Sequence, residues 1–155
     1  MRELGKLFEQ NQSRLYVLAL SVTKRRDLAE DAVHDALIAV ASLQKAPDNL
    51  KAYLFRVVRN KSLFIVHQQK KTEPSDFLND DVAGDHESQV LIQQVKKHIG
   101  QLKPIQQEIL IMKLFGNLTF AEIAELIETP LNTVSSHYRR GMEVLKMRLT
   151  PNERA

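Results

Sequence analysis

Residues 118–140 have the types and spacing of a helix-turn-helix, a structure whose second helix can hydrogen-bond to DNA. Thr119 and Glu122 are three residues apart, as in a capping box, which predicts where the first helix begins. Apolar residues then recur at helical spacing, so this helix has one buried side. Pro130 ends it, because the residue before a proline is disfavoured in the α region. The segment therefore predicts a short helix, a turn and a second helix.

The second helix of this segment is polar and basic on its outer side. Asn132 is placed to cap it, Val134 and Tyr138 are its expected core contacts, and Arg139 and Arg140 follow. Amide, hydroxyl and guanidinium groups on one helix face can hydrogen-bond to base edges in the major groove and to phosphates. Taken alone, the segment also fits an ordinary pair of antiparallel helices in an all-helical protein. That alternative stays open at this point.

The composition describes a folded chain with an uneven distribution of charge. Its 155 residues are 43% hydrophobic and 26% charged, with no cysteine and a net charge of +3. Residues 1–71 carry +6, residues 72–88 carry −6 and residues 89–155 carry +3. Basic halves favour polyanionic partners, and an acidic strip between them is typical of a linker. Without cysteine or a long apolar run, we expect a cytoplasmic protein with no disulfide, no cofactor and no membrane insertion.

Helical periodicity runs through both halves, and no stretch alternates with period two. We therefore expect an all-α fold, with a three-helix N-terminal domain (1–71) and a four-helix C-terminal domain (89–155) joined by a flexible acidic linker (72–88). Asp27 and Glu30 resemble a second capping box, and Pro104 suits the first turn of a helix. The predicted helices of the two domains are 3–24, 27–43, 49–69, 88–99, 104–115 and the pair in the helix-turn-helix, which reaches 149.

Three segments carry a resemblance to a known family. Residues 28–37 read LAEDAVHDAL, close to the family pattern DAEDxVQExF, and residues 53–60 read YLFRVVRN, close to WLxRIARN. Residues 118–140 resemble the family's DNA-reading helix-turn-helix. In this order, and over nearly the whole chain, they resemble the small two-domain bacterial sigma factors of the extracytoplasmic-function (ECF) group. The resemblance implies a sigma factor that binds core RNA polymerase and directs it to specific promoters for transcription initiation.

The resemblance also implies three groups of contact residues. Those expected to dock on the β′ clamp helices of core RNA polymerase share one helix face and are Asp31, His34, Asp35 and Ile38. Those expected at the minus-ten element, on or near the outward face of the third helix, are Arg56, Arg59, Asn60 and Lys61. Those expected at the minus-thirty-five element are Thr119, Asn132, Thr133, Ser135, Ser136, Arg139 and Arg140. Further implied partners are the polymerase β flap, promoter DNA and an anti-sigma factor, with the free chain a monomer.

The chain departs from the family pattern at several positions. Glu128 stands where the turn usually has glycine, so either a non-glycine residue tolerates a positive φ or the turn differs. Ser135 and His137 replace residues that are commonly Lys and Arg, which weakens attraction to phosphate. Gly141 stands where alanine is common, at a cost of roughly 1 kcal/mol inside a helix. The loop at 44–48 is short for one that captures a flipped promoter base, and no residue is assigned to that pocket.

Other classes of protein remain as alternatives. A stand-alone helix-turn-helix repressor or activator would bind duplex DNA without polymerase, usually as a dimer, whereas this chain has one such motif and no dimerisation heptad. An enzyme is disfavoured, because the five histidines are scattered and no catalytic or metal-binding motif occurs. We assign no catalytic residue and no metal ligand. A helical adaptor that binds only protein fits poorly with the polar second helix.

Overall fold

A computed structural model of the chain describes residues 2–68 and 86–149. These residues form seven α-helices and no strand, which confirms the all-α fold. Among them, no helix is both long and apolar enough to cross a membrane. Residues 72–85 of the predicted linker lie outside the described residues. Its last three residues, 86–88, belong instead to a helix that begins at His86.

The N-terminal half consists of three helices, α1 (Arg2–Thr23), α2 (Arg26–Ala41) and α3 (Leu50–Gln68). Their bounds fall within two residues of the predicted ones. The capping box predicted at Asp27 and Glu30 is wrong, because α2 starts at Arg26 and Arg25 occupies the N-cap position without a side-chain cap. The Asp27 carboxylate instead accepts a hydrogen bond from the Arg25 guanidinium (2.9 Å). Asp27 thus lies in the first turn, where the helix dipole stabilises a negative charge.

The C-terminal half consists of four helices, α4 (His86–Gln94), α5 (Pro104–Leu110), α6 (Phe120–Leu126) and α7 (Leu131–Leu149). Pro104 begins α5, as predicted. Both α4 and α5 continue into a π-helical turn, Val95–Ile99 and Ile111–Phe115, which helical periodicity did not predict. The run after α5 ends at Asn117, which takes the left-handed conformation with φ 57°. Asparagine is one of the few residues that adopt this conformation readily.

One apolar core runs through both halves of the chain. Leu18 and Phe55 of the N-terminal half and Ile109 and Ile123 of the C-terminal half are completely buried in it. Helix α1 packs against α4 and α5, and α3 packs against α6. The two predicted domains therefore meet along a seam, formed by α1 and α3 on one side and by α4, α5 and α6 on the other.

Phe55 fills this seam, and Gly116 makes room for it. A Cβ atom on Gly116 would lie 3.1 Å from two carbons of the Phe55 ring and 2.8 Å from the carbonyl oxygen of Met112. Both distances are shorter than ordinary van der Waals contact. Gly116 itself has φ −81°, so glycine serves here for close approach and not for a left-handed backbone. The seam is therefore closely packed at Gly116, with no room for a side chain there.

Gly141 lets α7 approach α5. A Cβ atom at this position would lie 2.7 Å from Cδ1 of Leu110, a side chain that is completely buried. The backbone at Gly141 is helical, so the roughly 1 kcal/mol cost of a helical glycine is offset by closer packing of the two helices. Glycine replaces the alanine of the family pattern here because Leu110 leaves no room for a methyl group.

We predict that Gly141→Ala lowers the free energy of unfolding by about 1 kcal/mol, because overpacking costs roughly 1–3 kcal/mol and outweighs the gain in helix propensity. Gly5→Ala is the matched control. No atom lies within 4 Å of a Cβ at Gly5 inside α1, so that change should stabilise the chain by up to about 1 kcal/mol. Urea unfolding of both variants measures the difference. Equal stabilisation by the two changes would show that Leu110 yields freely.

Candidate nucleic-acid interface

The start of α6 is held by the capping box that the sequence predicted. Thr119 Oγ1 accepts a hydrogen bond from the backbone N–H of Glu122 (3.0 Å), and Glu122 Oε1 accepts one from the backbone N–H of Thr119 (2.7 Å). Both N–H groups are thereby paired at a helix end that offers them no backbone partner. Ile123 and Leu126 are buried on the inner side of α6. The box and these two residues set the position of the supporting helix.

The turn after α6 contains a non-glycine residue in the left-handed region. Glu128 has φ 53°, so the conformation that glycine usually supplies is kept by a glutamate. Of the two possibilities that the sequence left open, tolerance of a positive φ is the correct one. Thr129 donates its hydroxyl hydrogen to the carbonyl oxygen of Ile127 (3.1 Å), which supports the same turn.

Helix α7 begins two residues earlier than the predicted cap requires. Its first residue is Leu131, so Asn132 is the second helical residue and does not cap the helix, which corrects that prediction. The Pro130 carbonyl accepts hydrogen bonds from the N–H groups of Thr133 and Val134 and starts the helical pattern. The Asn132 side chain is exposed. It is therefore free of a capping role and available to a ligand.

The inner side of α7 is committed to packing. Val134 and Leu145 are buried in the core. The Tyr138 ring meets the Phe120 ring edge to face, with centroids 5.1 Å apart and planes at 71°. Lys113 Nζ lies 4.6 Å from the centroid of the same Phe120 ring, within the range of a cation–π contact. These contacts determine which side of α7 faces outward.

The outer side of α7 presents the predicted minus-thirty-five residues. Asn132, Thr133, Arg139 and Arg140 are exposed, and Ser135 and Ser136 are half-buried. A shallow groove of about 260 Å³ is lined by Asn132, Thr133, Ser136, His137 and Arg140. The Nδ1 atom of His137 is buried and has no hydrogen-bond partner among the described residues. Thr119 is exposed at the start of the neighbouring helix, and its oxygen accepts the capping bond.

The predicted minus-ten residues of α3 differ in their exposure. Asn60 is exposed, while Arg56 and Lys61 are half-buried. Arg56 lies 3.8 Å from the Glu128 carboxylate of the other half. The outward position expected for Arg59 is wrong in this arrangement: its side chain is 15% exposed, and its Nε donates to the carboxylate of Glu108, which is 8% exposed. The sequence could not show this pairing, because the partner lies 49 residues away on α5.

The predicted polymerase-binding residues lie together on the surface of α2. Asp31, His34 and Asp35 are exposed, and Ile38 is 52% exposed between them and the end of the helix. Residues three, four and seven positions apart share one side of an α-helix. The inner side of α2 is buried through Ala29, Ala32, Val33, Ala36 and Val40. Ile38 is thus an apolar residue that lies outside the core and is exposed beside carboxylates.

One exposed aromatic residue was missed in the sequence. Phe64 is 61% exposed and lies one helical turn after Asn60, on the same side of α3. Leu63 beside it is also exposed. The signal that could have identified Phe64 is its position one helical turn after the polar residue Asn60, which places an aromatic ring on an outward side of α3. An exposed ring next to an amide is suited to stacking on an unpaired base.

Glu122 joins the helix-turn-helix to the seam. Its second carboxylate oxygen accepts a hydrogen bond from the Asn49 side chain at the start of α3. The pKa of Glu122 is lowered, chiefly because the Thr119 backbone N–H donates to the carboxylate and also because Asn49 and the Thr119 hydroxyl do; partial burial opposes this effect. A pocket of about 330 Å³ lies beside this contact, lined in part by Tyr53, Arg56 and Glu125. The charged form of Glu122 is therefore the one that holds α6 and the seam.

Comparisons with known proteins agree with this architecture. Sigma-70 region 2 matches residues 7–72, and sigma-70 region 4 matches residues 92–145. The RNA polymerase sigma factor SigV of Bacillus subtilis (strain 168) is 25% identical over 146 residues, covering 89% of this chain and 86% of SigV. The sigma factor RpoE from Bartonella quintana, solved in complex with the anti-sigma factor NepR, superimposes with a TM-score of 0.72 at 23% identity, over 97% of this chain and 98% of RpoE. At that identity, the structural likeness shows the fold alone.

A helical half that matches region 2 and a helix-turn-helix half that matches region 4 define a transcription-initiation factor that works with RNA polymerase. The chain belongs to the sigma-70 family and has the two-domain organisation of its ECF group. It is a sigma factor, a regulatory subunit that binds core RNA polymerase and directs it to promoters. The family and the function predicted from the sequence are confirmed.

We predict that the contribution of Glu122 to stability depends on pH. A carboxylate whose pKa is lowered by folding stabilises the folded chain fully above its ordinary pKa of 4.5, and this stabilisation is lost as the pH falls through the lowered value. Glu122→Gln should therefore be less stable than the natural chain at pH 7, and the difference in free energy of unfolding should shrink as the pH is lowered below about 4.5.

Glu125→Gln is the control, since Glu125 lies on the same helix outside the box. Urea unfolding at pH values from 7 downward measures both variants. A Glu122→Gln deficit that stays constant with pH would contradict the proposed charge state.

Proposed function

We propose that the chain performs its sigma-factor role through three separate surfaces: the exposed face of α2 for core polymerase, α3 for the minus-ten element and the outer side of α7 for the minus-thirty-five element. The observation that carries the proposal is the division of α7, whose inner side is packed on the core while its outer side presents amide, hydroxyl and guanidinium groups. A helix divided in this way and held by a partner helix can enter the major groove at a defined angle.

The outer side of α7 supplies groups for both bases and phosphates. Asn132 and Thr133 lie in its first turn, where the helix dipole favours a phosphate. Arg139 and Arg140 lie two turns later, and an arginine can bind O6 and N7 of guanine with two hydrogen bonds. Ser135 and Ser136 complete the surface with small hydroxyl groups, and Thr119 lies exposed beside it at the start of α6. With only two arginines on this surface, sequence readout depends more on hydroxyl and amide groups than in a more basic helix.

The outer side of α3 is proposed to hold the separated strand at the minus-ten element. Asn60 can make paired hydrogen bonds to a base edge, and Arg56 and Lys61 can follow phosphates. Phe64 adds a ring on which an unpaired base can stack, a contact worth ~1–3 kcal/mol per base in proteins that bind single strands. Arg59 belongs to the same surface only when it is released from Glu108.

The exposed face of α2 is proposed to dock on the β′ clamp helices of core polymerase. Ile38 supplies apolar area that is lost from water on docking. Asp31 and Asp35 supply carboxylates that can form charge-assisted hydrogen bonds with arginine. His34 lies between them and can donate a hydrogen bond. Carboxylates beside an apolar residue favour a basic protein surface and disfavour DNA at this face, because a phosphate backbone would be repelled.

Other partners are proposed on family grounds. The C-terminal half would bind the polymerase β flap, and an anti-sigma factor would bind the free chain, as NepR binds its own sigma factor RpoE. We propose that the chain acts in the cytoplasm as a monomer, without a cofactor or an enzymatic activity of its own. The test of the function is promoter-specific run-off transcription that requires both the chain and core polymerase.

We predict that the double charge reversal Asp31→Arg with Asp35→Arg weakens binding to core polymerase by at least about tenfold, because opposite charges become like charges at the interface. Affinity measured with labelled chain and core polymerase tests this, and run-off transcription should fall in parallel. Glu9→Arg is the control, since Glu9 is exposed on a different helix, α1. Unchanged affinity of the double variant, with an unchanged circular dichroism spectrum, would remove polymerase docking from this face.

We predict that Arg140→Ala weakens binding to a minus-thirty-five duplex by about 1–3 kcal/mol if the arginine reads a guanine, with relaxed preference at one base pair. If Arg140 instead contacts phosphate, the affinity falls equally for all DNA sequences. The slope of log affinity against log salt concentration then decreases by about 1. Fluorescence anisotropy over a range of salt concentrations distinguishes the two. Lys6→Ala, which removes an equal charge from the exposed side of α1, should leave binding unchanged. The same result for both variants would exclude Arg140 from the interface.

A further inference from the structure

We propose that His137 reads a base of the minus-thirty-five element, by presenting one N–H donor to the N7 atom of a purine. This role rests on the proposed function of α7 and makes it more specific, because it assigns one side chain to one kind of base. The family pattern commonly has a basic residue at this position, so His137 departs from it. The surroundings of the ring show what the histidine supplies in place of a charge.

His137 lies at the border between the inner and outer sides of α7. Val134, three residues before it, is buried, whereas Thr133 and Arg140, four before and three after, are exposed. Residues three and four positions apart are neighbours on the surface of a helix. His137 itself is half-buried and lines the shallow groove together with Thr133 and Arg140. One edge of the ring thus lies inside the protein, and the other lies in the groove proposed to receive DNA.

The two ring nitrogens of His137 have different surroundings. Nδ1 is buried and has no hydrogen-bond partner among the described residues. Nε2 has no partner there either but is not buried, so it is the nitrogen open to the groove. A neutral imidazole carries its hydrogen on one nitrogen and a lone pair on the other. Because buried N–H groups without an acceptor are the rarest unpaired groups in proteins, the hydrogen is placed on Nε2, and the ring offers the groove a single donor.

A single N–H donor distinguishes between the bases of the major groove. Guanine and adenine both present N7 there as an acceptor. Cytosine presents an amino donor instead, and thymine has a methyl group beside its O4 acceptor. Two donors that face each other leave both without a partner, which is costly once water is excluded. The donor of His137 therefore favours a purine and disfavours a cytosine at the base pair that it meets.

A half-buried ring suits a directed contact better than a flexible cation does. An arginine at this position would bring a charge that attracts phosphates whatever the DNA sequence is. The ring of His137 is instead held by packing along one edge, so the direction of its Nε2–H group is set before DNA binds, and less side-chain entropy is lost on binding. Ser135 also replaces a commonly basic residue. Both replacements transfer recognition by α7 from phosphate attraction to base contacts.

The test uses the holoenzyme formed from the full chain and core polymerase. Its duplex promoter is one that this holoenzyme selects from a library randomised at the minus-thirty-five element. Each purine of the selected element is then replaced in turn by its 7-deaza analogue, in which a C–H group stands in place of N7. Competition binding with the natural chain should show a loss of about three- to tenfold at the purine that meets His137, the size expected for one hydrogen bond.

Variants of His137 identify that purine. His137→Phe keeps an aromatic ring without nitrogen, so it should bind the unmodified promoter about three- to tenfold more weakly and lose nothing further with the analogue at that position. His137→Gln, whose amide can place an N–H group near the position of Nε2, should keep part of the sensitivity. His98→Phe makes the same change at another half-buried histidine of the C-terminal half and should respond to every analogue as the natural chain does.

Equal responses of the natural chain and His137→Phe to every analogue would overturn the proposal. An equal loss of affinity for all promoter sequences in His137→Phe, with a smaller salt dependence, would also overturn it, because His137 would then contact phosphate. The failure of the proposed function has a different signature. In that case no analogue weakens binding by the natural chain, and Arg140→Ala has no effect either.

A measurement on the free chain tests the direction of the donor. With ¹⁵N-labelled histidine, two-bond proton–nitrogen correlations at about pH 8, where imidazole side chains are mostly neutral, should place the hydrogen of His137 on Nε2. A hydrogen on Nδ1 would overturn the proposal, because the groove would then face an acceptor. Circular dichroism checks the fold of His137→Phe. If that variant does not fold, His137→Ala takes its place with the same expected responses.

Discussion

Burial of Phe55 and of the Arg59–Glu108 pair in one seam is the constraint on which the arrangement of this molecule depends. Phe55 can be completely buried only because Gly116 has no side chain, and the ion pair can be buried only because each charge meets its partner. Apolar contact brings the halves together, while the charges select the register in which they meet. The residues proposed to contact polymerase and DNA lie mostly outside the seam.

Within the C-terminal half, local hydrogen bonds and close helix packing position the DNA-reading helix. The reciprocal bonds of Thr119 and Glu122 start α6, and Glu128 keeps the turn in a left-handed conformation. Gly141 then lets α7 lie against Leu110, and the Phe120–Tyr138 contact prevents rotation about its axis. Each contact acts on the inner side of α7. The outer side is consequently presented by a rigid support, which recognition of a fixed groove requires.

Carboxylates have different roles in different parts of this basic chain. Glu122 is both a cap and a partner of Asn49 across the seam, Glu108 neutralises a buried arginine, and Asp31 and Asp35 stay in water beside Ile38. The difference is one of burial. A buried carboxylate needs a donor or a cation and so becomes part of the fold, whereas an exposed one stays available to a partner with the opposite charge. Charge in this protein is thus divided between buried groups that are part of the fold and exposed groups that stay in water.

The sequence alone determined the all-α fold, the bounds of most helices to within two residues, the capping box at Thr119 and the two regions of a sigma factor. These features depend on residues close together in the chain, where periodicity, caps and breakers act directly. The Asp27–Glu30 box and the cap at Asn132 failed, because a matching pattern does not show at which residue the helix begins. Only the tertiary structure decided that Phe55 is a seam residue, that Gly116 and Gly141 provide space, and that Arg59 is paired with Glu108. Those outcomes depend on residues tens of positions apart, and a pattern within one helix cannot show which side chain of another half will face it.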